Sequence, residues 1–239
     1  MSIRKYIPDT ITSLNLACGA VGIVMAAHSK IEYAFLFMLG GAVFDFFDGF
    51  SARALGAYSP MGKELDSLAD DITFGLLPAF MLYQVMPGGV WAWFPLLIAV
   101  FSGLRLAKFN IDERQTTSFL GLPTPGCAMV CGSFAVYIAE CPASRAAALV
   151  EQHPWVIAIA SIVLCYLLIC EIPMFSMKIH KGEGMSRAMR CRISFAIVAV
   201  IGLLVVIGEH KYWTLTIFFA FTGYILINLI NAPFTKKQE

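Results

Sequence analysis

Charge is scarce in this chain: 14% of its 239 residues are Asp, Glu, Lys or Arg, against 59% hydrophobic residues and a mean hydropathy of +0.75. Soluble globular domains carry about 25% charged residues, so that class is excluded. With a net charge of +1 there is no excess of one sign, and no nucleic-acid partner is expected. CxxC pairs and histidines beside cysteine are missing too. The seven cysteines, among them Cys127, Cys131 and Cys165, are odd in number and scattered through apolar segments, and they read as small buried apolar residues. Repeats, low-complexity tracts and long linkers are absent, which leaves one domain over residues 1–239. The N-terminus lacks the small-residue cleavage pattern of a signal peptide, so its first apolar stretch reads as a retained helix.

What the chain has in abundance is apolar runs long enough, at roughly 20 residues, to cross a hydrocarbon core. They predict an all-α, polytopic membrane helical bundle of about eight transmembrane helices, over 10–28, 32–51, 66–86, 91–109, 124–141, 154–176, 192–208 and 213–231. The lipid bilayer is thus a partner of the whole chain. Lys and Arg fall mostly on one side of these spans, with Lys30, Arg145 and Lys211 alone on the other. By the positive-inside bias, both termini and the loop between the second and third spans face the cytoplasm, in the plasma (inner) membrane. The most basic loop, Lys178 to Arg192, reads as an anchor to an anionic leaflet.

Against that background, four aspartates stand out. An ionised side chain near the bilayer centre costs roughly 2.5–3.5 kcal/mol on insertion scales, and such groups mark substrate, ion or proton sites. Asp45 and Asp48 are spaced to share one helix face, as are Asp66 and Asp70. Four converging carboxylates repel unless cations sit among them, and hard divalent ions are the natural neutraliser. Gly49, Ala52 and Gly62 leave space beside the acids, and Arg53 offers a guanidinium to phosphate oxygens. The spacing leaves a second reading open, in which the acids line the path of an ion-coupled transporter.

Written with its gaps, the segment over residues 45–70 is D-x2-D-G-x2-A-R-x8-G-x3-D-x3-D. It resembles the signature of the CDP-alcohol phosphotransferase family, with Asp45, Asp48, Gly49, Ala52, Arg53, Gly62, Asp66 and Asp70 occupying every position. The resemblance implies that a CDP-linked lipid donates its phosphatidyl group to an alcohol and that CMP leaves. It implies two ions, Mg²⁺ or Mn²⁺, held by Asp45, Asp48, Asp66 and Asp70, with Asp70 also the base for the acceptor hydroxyl. It further implies a CDP-lipid pocket of Gly49, Ala52, Arg53, Ser59 and Gly62, with Thr12 added from the first helix. Asp9 stands where the family pattern more often has Asn. A homodimer is implied as well.

The acceptor is suggested by a second segment. Arg105-Leu106-Ala107-Lys108-Phe109-Asn110, followed by Phe119-Leu120-Gly121-Leu122-Pro123-Thr124-Pro125, resembles elements of the phosphatidylserine synthase subgroup, with Lys108 in place of the more frequent Arg. That implies CDP-diacylglycerol as donor and L-serine as acceptor. Serine brings a carboxylate, and Arg105, Lys108 and Asn110 are the candidates to receive it; as positive-inside anchors, Arg105 and Lys108 have an equally good explanation. Another acceptor alcohol, or an archaeal-type ether-lipid donor, remains open on sequence grounds.

Overall fold

Pro8 and Asp9 sit in the first turn of the first helix, where a proline costs no hydrogen bond and an acid complements the helix dipole. In a computed structural model, which describes residues 6–112, 119–174 and 213–235, this helix is α1 (Tyr6–Ala27). α2 (Ile31–Leu55) ends at Gly56, whose left-handed φ of 59° lets its N–H reach the carbonyls of Ala52 and Arg53. A three-residue turn then leads to α3 (Pro60–Asp70). Ser59 is its N-cap, accepting a 2.8 Å bond from the Gly62 N–H, and Pro60 follows at the first helical position.

The helix continues through a π-helical turn (Asp71–Leu76) into α4 (Leu77–Val85), and a 3₁₀ segment (Val90–Leu96) opens α5 (Leu97–Ile111). α6 (Thr124–Glu140) turns by 100° into the short α7 (Arg145–Gln152), and α8 (Trp155–Ile169) and α9 (Trp213–Thr235) complete the described helices. The sole strands among the described residues are β1 (Phe119–Leu120) and β2 (Pro173–Met174), paired antiparallel. Gly121, at φ 76°, is held there: a β-carbon on it would lie 2.8 Å from the carbonyls of Leu168 and Cys170. The described residues are otherwise helices and their connections, in keeping with the all-α class that the apolar runs predict.

Four of these helices are long and apolar enough to cross a membrane, or five if the bent α6–α7 pair is one span. The expected count of about eight is not reached among the described residues. Two expected spans are shorter or interrupted in the structure: 66–86 falls on the α3–π–α4 stretch, and 154–176 ends at Ile169 because Cys170 turns extended and Pro173–Met174 pairs with β1. The expected span 192–208, the basic loop Lys178 to Arg192 and the end of 154–176 lie outside the described residues.

α1 and α2 pack closely on each other and on the chain that follows Asp70. A β-carbon on Gly22 would come within 3.3 Å of the Ala34 carbonyl and 2.6 Å of the Leu77 side chain, and one on Gly41 within 2.8 Å of the Asn15 side chain and 2.6 Å of that of Thr73. Small residues serve this close approach in membrane helices, where dispersion and hydrogen bonds hold helices together. Phe35, Met38, Phe74, Leu77 and Met81 fill the core beside them, fully buried. Phe46, Phe47 and Phe50 on α2 point outward, which suits a helix with one face in lipid. Apolar helices of this length make the chain an integral membrane protein.

Candidate active site

Helical period and close packing place the acids. Asp45 and Asp48 share a face of α2, Asp66 and Asp70 a face of α3, and α1 packs against both helices. One carboxylate oxygen from each of Asp45, Asp48 and Asp66 lies within 4.8 Å of the other two. Asp70, one turn beyond Asp66, lies beside Asp45 and accepts a 3.3 Å bond from Asn15 Nδ2. Asp48 is buried, and Thr12 Oγ1 donates to its Oδ2 at 2.7 Å.

These residues suit a hard divalent cation. Their donor set is carboxylate oxygen throughout. None of the four forms an ion pair with Lys or Arg among the described residues, although Arg105 is near enough for its charge to act on Asp70. Asp66 Oδ1 is buried without a hydrogen-bond partner, and the residue belongs to the cluster of three. The Thr12 and Asn15 bonds fix carboxylate rotamers, as outer contacts do at metal sites. Sequence reasoning passed over Asn15, although it carries a signal like that of the acids, a polar residue inside an apolar helix; in the structure it is fully buried.

Next to the acids opens a cavity of about 230 Å³. It is lined by Pro8, Asp9 and Thr12 of α1, Asp48, Gly49, Ala52 and Arg53 of α2, and Ala57 to Ser59, Gly62, Lys63 and Asp66 of the turn and α3. All the residues that sequence reasoning assigned to a CDP-lipid pocket are thus gathered on one wall or another of a single hollow. The Arg53 guanidinium folds back over Gly49, with Nη1 3.7 Å from where a β-carbon would stand. Gly62 is required by a closer approach, since its β-carbon would lie 2.6 Å from Asp9 Oδ1 and 2.9 Å from Ser59 Oγ. Lys63 was not singled out from sequence; its Nζ donates to the Asn110 carbonyl at 3.0 Å.

The three basic-segment candidates separate. Arg105 is 7% exposed, near enough to Asp70 to feel its charge, and donates from Nη1 to Thr124 Oγ1 at 3.1 Å while its Nε has no partner. Lys108 instead points to Glu171, in a half-exposed ion pair of 3.0 Å. Asn110 donates to Ser67 Oγ at 2.8 Å, tying the end of α5 to α3.

Comparison with known proteins agrees with this geometry. The family model described as CDP-alcohol phosphatidyltransferase matches residues 5–167. A CDP-diacylglycerol–serine O-phosphatidyltransferase of Bacillus subtilis (strain 168) is 35% identical over 189 residues, covering 76% of this chain and 96% of its own. A relative of the same name in Methanocaldococcus jannaschii is 34% identical over 135 residues, 56% of this chain and 63% of its own. An archaetidylserine synthase of Methanothermobacter thermautotrophicus is 32% identical over 139 residues, 54% of this chain and 57% of its own. The chain therefore spans nearly all of the first relative and about three-fifths of the two archaeal ones.

Proposed function

The chain belongs to the CDP-alcohol phosphatidyltransferase family, a family of phosphotransferases, and from that premise we propose that it transfers the phosphatidyl group of CDP-diacylglycerol to L-serine, giving phosphatidylserine and CMP. The observation that carries the choice of serine is the buried Arg105 beside Asp70, with an unpartnered Nε. A guanidinium in that position suits a carboxylate on the molecule whose hydroxyl Asp70 would deprotonate. The serine transferases among its relatives support the same assignment.

In this reading Asp45, Asp48, Asp66 and Asp70 hold two ions of Mg²⁺ or Mn²⁺, which, when bound, neutralise the donor diphosphate and polarise its phosphoryl oxygens. Gly49, Ala52 and Gly62 leave the cavity open to the donor, and Arg53 turns its guanidinium to a phosphate oxygen. Asp70, held by Asn15, takes the proton of the serine hydroxyl. The hydroxyl oxygen bonds to the lipid-side phosphorus, the bond from that phosphorus to the bridging oxygen breaks, and CMP carries away the electron pair. Arg105 orients serine by its carboxylate, whereas Lys108 and Asn110 stay with Glu171 and Ser67.

The rest of the proposal concerns the whole chain. Residues 1–239 form one membrane domain with both termini and the acid site on the cytoplasmic side of the plasma membrane, supported by the Lys and Arg bias, and two copies form a homodimer, supported by the family resemblance. The deciding experiment gives purified protein CDP-diacylglycerol, Mn²⁺ and a panel of labelled alcohols. Serine is expected to be the preferred acceptor, and preference for another alcohol would sink the assignment. A parallel arm with an ether-linked CDP-lipid reads the donor preference.

A further inference from the structure

The last described helix, α9, lies beyond the residues that the family model matches, which end at 167. It packs against α6 and runs antiparallel to it. The rings of Phe218 and Phe134 stand 5.3 Å apart, and Phe221 lies 3.9 Å from where a β-carbon on Gly126 would stand. The next turn of α9 therefore reaches the level of Thr124, at the start of α6. That turn carries Tyr224, and Asn228 follows one turn later on the same face, both buried. Tyr224 comes close enough to Arg105 for the guanidinium charge to act on its phenol. Asn228 fixes this tyrosine, donating from Nδ2 to its carbonyl at 2.8 Å and bonding its side chain.

A guanidinium has five N–H donors and no acceptor. In Arg105 one donor goes to Thr124 Oγ1, and Nε has no partner. Asp70 lies within range of the charge, yet the two form no ion pair among the described residues. Opposite charges attract strongly in so dry a place. The arginine must therefore be held short of the acid by groups on its other sides. Thr124 is one of them. Of the remaining neighbours, the Phe109 ring is 6.0 Å from Cζ, and Cys127 offers a weak acceptor sulfur. The phenol oxygen of Tyr224 accepts as well as donates, and a buried phenol needs such a partner.

We propose that Tyr224 is a positioning residue for Arg105: with Thr124 it holds the guanidinium back from Asp70 and keeps open the gap that the acceptor enters. The inference rests on the acceptor role given to Arg105 above. It makes α9 part of the acceptor site, although the acids and the lining of the cavity all precede α4.

The test follows steady-state transfer by the full-length protein in detergent, with CDP-diacylglycerol, Mn²⁺ and varied serine. Tyr224→Phe keeps the ring and removes the hydroxyl. It is expected to raise the serine KM about tenfold, with kcat and the lipid KM unchanged. In an Arg105→Ala background the same substitution adds nothing, because the group that it positions is gone. Asn228→Ala releases the tyrosine and raises the serine KM in the same Arg105-dependent way, which keeps the test decisive where a Tyr224 variant fails to fold. An unchanged serine KM in Tyr224→Phe overturns the inference. So does a matching rise in the lipid KM, or an equal rise in both backgrounds, either of which makes the tyrosine a packing group or an independent contact. A serine KM that Arg105→Ala leaves unchanged would instead refute the acceptor role of Arg105 itself.

Discussion

Asp70 and Asp71 are neighbours in sequence that face different ways. Asp70 lies among the acids, on Asn15, whereas Asp71 turns to α5, its Oδ1 2.7 Å from where a β-carbon on Gly75 would stand and its Oδ2 3.3 Å from the corresponding point on Gly103. Spacing made this difference legible, since one residue rotates a helix face by about 100°. Asp70→Asn is expected to lower kcat by about 10²–10⁴-fold while CDP-lipid binding persists, measured by turnover beside equilibrium binding; full activity would remove Asp70 as the base. Thr12→Val leaves Asp48 without its 2.7 Å donor. It should weaken Mn²⁺ affinity by about 10–100-fold, read by metal titration. For the acceptor, Arg105→Ala should raise the serine KM about tenfold or more and the lipid KM far less. Lys108→Ala should leave both unchanged, because its half-exposed pair with Glu171 is worth less than about 1 kcal/mol. Sequence showed that Arg105 and Lys108 were basic and one turn apart. It could not show that one is buried beside Asp70 while the other meets a residue more than sixty positions away.

Helix ends proved harder to read than helix faces, and two ends bear on the site. Ser59 entered as a pocket residue and does line the cavity, yet its Oγ is already engaged as the N-cap of α3. Ser59→Ala should therefore cost about 1 kcal/mol of stability, seen as a lower thermal midpoint in detergent, and Ser59→Asp should restore it. If nucleotide affinity fell with no change in the midpoint, the cap would not be its main role. Gly121 belongs to the segment read from sequence as an acceptor element. In the structure it closes the β1–β2 pairing against the end of α8, at a φ that disfavours a side chain. The π-helical turn after Asp70 was not legible at all, because an extra residue in a turn leaves the apolar pattern on either side intact.

Across the whole molecule, what could be read from sequence was what hydropathy and period control: a helical membrane protein with its carboxylates in register on two helices. The span count was not legible to the same degree, since the α3–π–α4 stretch and the bent α6–α7 pair break the link between an apolar run and a single crossing. Chelation with EDTA should abolish transfer and Mn²⁺ or Mg²⁺ should restore it, with activity that survives exhaustive chelation counting against metal dependence. A fluorescent reporter fused to the C-terminus should fold and fluoresce on the cytoplasmic side; a reporter active only on the outer side would invert the proposed topology. The cavity beside the acids also has a meaning in time. Its lining residues run from Pro8 to Asp66, all before α4, so the proposed donor half of the site is synthesised as one local unit of neighbouring helices. The guanidinium and its Thr124 partner arrive later, with α5 and α6. Because contacts close in sequence form before distant ones, the ribosome delivers the hollow first and the group proposed to orient the acceptor second.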